Sequence, residues 1–144
     1  MSENTIYFFT EDISYKIRGR ENLRRGIEQL VRKSKYQLGS LNIIFCSDRF
    51  VRKLNKKYLD QDNCTDVIAF DFSEEKFVIS GDIYVSIERV RENAKEYKEK
   101  LQTEIGRIII HGILHLMGME DTTKRLKKEM KEEEDKHLSY FVRR

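Results

Sequence analysis

His111 and His115 stand four residues apart, so on a helix both imidazoles leave the same face about one turn from each other. A zinc ion takes its first two ligands in this arrangement. Gly118 follows three residues after the second histidine and can adopt the left-handed conformation that ends a helix. The chain can then fold back and present Asp121 to the same ion. Two histidines and one carboxylate leave a fourth position for water, which is the pattern of a catalytic rather than a structural zinc. An i, i+4 histidine pair can also be plain packing. Here, though, two of the three histidines in the chain carry the ligand spacing, with a helix-stop glycine and a carboxylate behind them. For the third ligand Asp121 is the choice by spacing, with Glu120 and then His137 as alternatives. His137 lies in a heavily charged stretch and reads as a solvated histidine. The residue after His111 is Gly112, where metalloproteases of the His-Glu-x-x-His type place their general base, so the metal scaffold stands without the protease base, which argues against peptidase activity.

The elements that must hold these residues are legible from periodicity. Residues 103–117 carry Ile105, Ile108, Ile109, Ile110, Ile113, Leu114 and Leu116 almost all the way round, which predicts a helix buried at the centre of the molecule. Strand patterns are expected at 6–9, 41–46, 67–72 and 77–87, the last two as an antiparallel hairpin. An amphipathic helix is expected over 20–35, broken by Gly39 and Ser40. A second follows Ser47 or Asp48, with Phe50, Val51, Leu54 and Tyr58 as its apolar face. Asp60 to Asn63 reads as a polar loop. Ser86 caps a polar helix running to about residue 100, and 124–136 forms a charged surface helix with a thin stripe at Leu126, Met130 and Leu138. The fold class is α+β: a four-stranded mixed sheet, mostly antiparallel, flanked by about five helices, with the metal-ligand helix buried across it.

Three blocks of residues resemble one family. The run His-Gly-Ile-Leu-His-Leu-Met-Gly-Met-Glu-Asp over 111–121 is similar to the His-Gly-x-Leu-His-Leu-x-Gly-Tyr-Asp-His signature of the YbeY family. Leu54-Asn55-Lys56-Lys57-Tyr58 with Thr65-Asp66-Val67-Ile68-Ala69-Phe70 resembles that family's Leu-Asn-x-x-Tyr-Arg … Thr-Asp-Val-Leu-Ser-Phe segment, and Gly81 to Ser86 its Gly-Asp-Ile-x-Ile-Ser strand. The resemblance implies a metal-dependent endoribonuclease tied to ribosomal RNA maturation. Asp121 stands where the family has its third histidine ligand, Glu120 where it has Asp, and Leu59 where it has an arginine thought to help the chemistry. Cys64 and Asp71 replace two prolines.

A chain of 144 residues with 39% hydrophobic and 37% charged residues suits one domain over 1–144 with a single core and a soluble surface. No stretch approaches membrane-spanning length, and Cys46 and Cys64 form no Cys-x-x-Cys motif, so free thiols and a cytoplasmic location are expected. Net charge is only +3, yet residues 20–57 carry 11 Lys and Arg against 3 Asp and Glu. Such a segment can neutralise phosphates, and Arg52, Lys56 and Lys57, with Arg49 and Lys53, are the candidate grips on an RNA backbone. The reading is an endoribonuclease with one zinc ion on His111, His115 and Asp121, acting on single-stranded ribosomal RNA, with ribosomal proteins as further partners. No general base stands out. A non-catalytic ribosome-assembly protein that keeps the metal is the alternative, favoured by Leu59. Hydrolysis of a different phosphoester or amide, and the iron site of an oxygenase, are weaker readings.

Overall fold

The computed structural model describes residues 5–59 and 65–141; the loop expected at Asp60 to Asn63 falls outside them. Four strands form one mixed sheet: β1 (Ile6–Thr10), β2 (Gln37–Cys46), β3 (Val67–Asp71) and β4 (Val78–Ser86), in the order β1-β2-β4-β3. The expectation of a mostly antiparallel sheet is overturned. β1 pairs with β2 and β2 with β4 in parallel, and only β3 and β4 form the predicted antiparallel hairpin. The reason is connectivity. The stretch holding α1 carries the chain back after β1, and β3 itself, running the opposite way, carries it back after β2, so both β2 and β4 start again at the same end. β2 also begins earlier than predicted, because Gly39 and Ser40 are absorbed as an irregularity between Leu38 and Leu41 instead of breaking the chain.

The helices are α1 (Arg20–Lys33), α2 (Asp48–Leu59), α3 (Ile87–Glu96), α4 (Leu101–Leu116) and α5 (Lys124–Leu138), followed by a 3-10 turn at Ser139–Phe141. The Ser47 hydroxyl accepts from the Phe50 amide and the Ser86 hydroxyl from the Arg89 amide, so both predicted caps form. α3 is shorter than expected, since Lys98 turns left-handed (φ 56°) and α4 starts at Leu101. On α2 the buried face is Val51 and Asn55, while Tyr58, expected on that face, is exposed. No helix among the described residues is long and apolar enough to cross a membrane.

Strand alternation decides which helix lies on which side. Ile83 and Val85 of β4 pack with α4 in the main core, whereas Tyr84 points to the other face, where Val51, Phe50 and Leu54 of α2 cover it with Ile68 and Phe70. α2 and α4 therefore sit on opposite faces of the sheet. α4 is buried as its pattern predicts, with Ile105, Ile109, Ile110 and Ile113 fully enclosed. It approaches β4 so closely that a Cβ on Gly112 would lie 2.9 Å from Ile83 Cγ2. The position between the histidines thus faces the sheet and has no room for a base.

Candidate metal centre

The last turn of α4 sets the site. Gly118 is left-handed (φ 93°) and donates its amide to the His115 carbonyl, while the Met119 amide reaches back to the Leu114 carbonyl. These two bonds make a Schellman turn, which satisfies the helix-end carbonyls and reverses the chain. The reversal brings Asp121 beside both imidazoles. His111 Nε2 lies 3.0 Å from His115 Nε2 and 3.3 Å from Asp121 Oδ2, and His115 Nε2 lies 3.8 Å from that oxygen. One atom from each of the three residues falls within 4.8 Å of the others, so the cluster could hold a metal ion. A tetrahedral zinc with bonds of about 2.0–2.2 Å needs ligand atoms roughly 3.3–3.6 Å apart, and the observed edges bracket that range.

The outer ring nitrogens settle the tautomers. His111 Nδ1 faces Glu134 Oε2 at 2.5 Å, and His115 Nδ1 faces the Met119 carbonyl at 3.0 Å. Both partners only accept, so both Nδ1 atoms carry the proton and both Nε2 lone pairs point at each other and at a carboxylate. With both rings neutral, three electron-rich atoms converge there, a set that a metal cation or a proton on His111 Nε2 satisfies. Burial alone would push His111 below its usual range, but the hydrogen bond and charge of Glu134 leave it above. His115 is pushed down, by burial first and by its His111 neighbour second. Glu120, the alternative third ligand, is exposed and stands outside the cluster. His137 is not the solvated residue expected. It is buried on the face of α5 that also holds Met130 and Glu134, it pairs with Glu133 at 3.3 Å, and burial lowers its pKa.

The cluster opens into a cavity of about 390 Å³ between α3, α4 and α5, lined also by Asp66 at the start of β3. Its cations are Arg107, Lys127 and Lys131. Arg107 is already shared between Asp135 (2.7 Å), Glu134 (3.8 Å) and Glu104 (3.9 Å). None of Arg52, Lys56 and Lys57 lines this cavity. They lie on α2, across the sheet, where Arg49, Arg52, Lys53 and Lys56 border a separate open groove and Lys57 Nζ sits 5.2 Å from the Tyr58 ring. The sequence reading missed Glu134, Glu104 and Asp66. The signal for Glu134 was present: it stands four residues after Met130 on the one stripe of α5 that can pack inward.

Fold and site together define a class: a mixed-sheet α+β protein with an open two-histidine, one-carboxylate centre at the end of its most buried helix. The chain belongs to the endoribonuclease YbeY family, whose model matches residues 8–142. It is 43% identical to an endoribonuclease YbeY of Cytophaga hutchinsonii, over 96% of this chain and 97% of that protein. It is 41% identical to one of Amoebophilus asiaticus, over 96% and 94%. The solution structure of TM1509 from Thermotoga maritima superposes with a TM-score of 0.66 at 32% identity, covering 94% of this chain and 88% of the other.

Proposed function

We propose that residues 1–144 act as one domain, a zinc-dependent endoribonuclease of the cytoplasm that cuts single-stranded RNA in ribosomal RNA maturation. His111, His115 and Asp121 hold one zinc ion. The observation that carries the reading is the convergence of two Nε2 lone pairs and a carboxylate oxygen within 3.0–3.8 Å, with both outer nitrogens tied to acceptors. The chemistry a zinc ion would supply there is either activation of a water against a phosphodiester or polarisation of a phosphate oxygen. The chain's own residues do the rest. Glu134 and the Met119 carbonyl fix the imidazoles, Asp121 offsets part of the ion's charge, and the open side admits substrate. Family membership and the names of the relatives support RNA as that substrate. Arg52, Lys56 and Lys57 hold the backbone away from the cut, since β3 is an edge strand adjoined by both α2 and the cavity residue Asp66. A strand that passes this edge reaches both. Ribosomal proteins are the further partners of this reading.

The test is cleavage of single-stranded RNA by purified protein beside a His115→Ala control and a chelated, zinc-restored sample, with metal content read from each. Cleavage lost in the variant and on chelation, then recovered with zinc, is the expected result. Leu59, exposed where the family has arginine, favours a second reading: an RNA-binding assembly factor that keeps its metal. Stoichiometric metal, RNA binding and no cleavage above the variant would identify it.

A further inference from the structure

The far end of the cavity has a chemistry the metal cluster does not explain. Glu104 stands seven residues before His111 on α4, about 10 Å along the axis on the same side of the helix. It lines the cavity but is only 1% exposed, and its Oε1 accepts no hydrogen bond among the described residues. The nearest cation, Arg107 Nε, is 3.9 Å away and serves two other carboxylates. A buried acceptor in this state is costly unless a donor arrives. Asp66 lines the same cavity, near enough to both Glu104 and His111 for its charge to raise their pKa values, and is held through Oδ2 by Asn93 Nδ2 at 3.1 Å, with the largely exposed Tyr97 ring also on the lining. The cavity as a whole is lined by five carboxylates against three cations, so its walls away from the metal cluster are a poor seat for a phosphate. Its volume is in the range of small-ligand pockets.

We propose that this end of the cavity is a nucleobase pocket, in which Glu104 and Asp66 accept hydrogen bonds from the N–H edge of a guanine next to the phosphate at the metal cluster. The inference rests on the nuclease reading above. Guanine is the base whose Watson–Crick edge offers N1–H and the 2-amino group side by side. Adenine and cytosine set a ring-nitrogen acceptor beside their amino group, and uracil flanks its single N–H with two carbonyls. Facing two acceptors, those bases leave lone pair against lone pair. Single-stranded RNA is commonly read this way, by edge hydrogen bonds with stacking on an aromatic rim, which Tyr97 supplies. The span from His111 to Glu104 is of the order of a nucleotide's reach from phosphate to base edge.

The probes are the 5′-monophosphates of guanosine, inosine, adenosine, cytidine and uridine, titrated calorimetrically into zinc-loaded protein at about pH 8.5, where Glu104 is ionised and can only accept. Guanosine monophosphate should bind at least tenfold tighter than the adenosine, cytidine and uridine compounds, with inosine, which lacks the 2-amino group, in between. Glu104→Met and Asp66→Ala, which remove the acceptors, should each erase that preference while zinc content stays at one per chain. Equal binding of all five compounds, or a preference that survives in both variants, overturns the proposal. So does a second equivalent of divalent cation that Glu104→Met abolishes, because the carboxylates would then be a cation site. RNA cleavage, measured separately, keeps the two readings apart. Guanine preference without cleavage sinks the nuclease and spares the pocket; cleavage without preference does the reverse.

Discussion

Glu134 reaches His111 from a helix remote in sequence, and its role follows from which nitrogen it touches. By accepting the hydrogen bond from Nδ1–H it leaves Nε2 free to ligate and makes the ring a stronger donor to a metal. Glu134→Ala should weaken zinc binding by about 10–100-fold in a competition titration with a chromophoric chelator, and Glu134→Gln, which can still accept from Nδ1, by less. Glu104 yields a prediction of a different kind. Burial pushes its carboxyl from 4.5 up to about 7, with Arg107 pulling back. The native state then binds this proton more tightly than the unfolded chain does. The fold is therefore favoured below the unfolded value and loses that advantage as pH rises from 4.5 toward 7. Thermal melts of metal-free protein should show Glu104→Gln gaining on the wild type across this window, by on the order of 3 kcal/mol above pH 7. A difference independent of pH would refute the assignment.

Among the elements, α4 and α5 contrast in what their sequences disclosed. The isoleucines of α4, its Gly118 stop and the Ser86 cap of α3 are local signals, and each lies where the pattern put it. α5 reads as a charged surface helix because one inward stripe of Met130, Glu134 and His137 hides among lysines and glutamates that look alike. Periodicity says nothing about which glutamate meets a histidine from another helix. The strand directions were equally hidden, since a parallel crossover and an antiparallel return can carry the same alternation. Met130 is 1% exposed in the core, and it docks the helix that carries Glu134. Met130→Ala should cost about 2–5 kcal/mol in denaturant unfolding and should also loosen zinc. Unchanged metal affinity in a folded Met130→Ala protein would mean that α5 holds Glu134 without it.

For the whole molecule, charge is divided between two faces. The basic groove of α2 and the acid-rich cavity beside α4 lie across the sheet, so net charge of +3 conceals a polar arrangement. RNA affinity should fall steeply with salt, and replacing Lys56 and Lys57 together by Ala should flatten the slope of log K against log salt by about 0.7 per lost phosphate contact. An unchanged slope would remove α2 from the binding path. The sequence pointed to these lysines but could not say that the His111, His115 and Asp121 cluster lies on the other side, because facing is a property of the sheet.

His111, His115 and Asp121 all belong to one short stretch of chain, closed on itself by the Gly118 turn, whereas Glu134 enters afterwards on α5. During synthesis the ligands leave the ribosome ahead of the carboxylate that steadies them, and closing so short a loop costs little entropy. The convergence of the three side chains is thus local to one turn of chain, while the contact that steadies His111 is long-range.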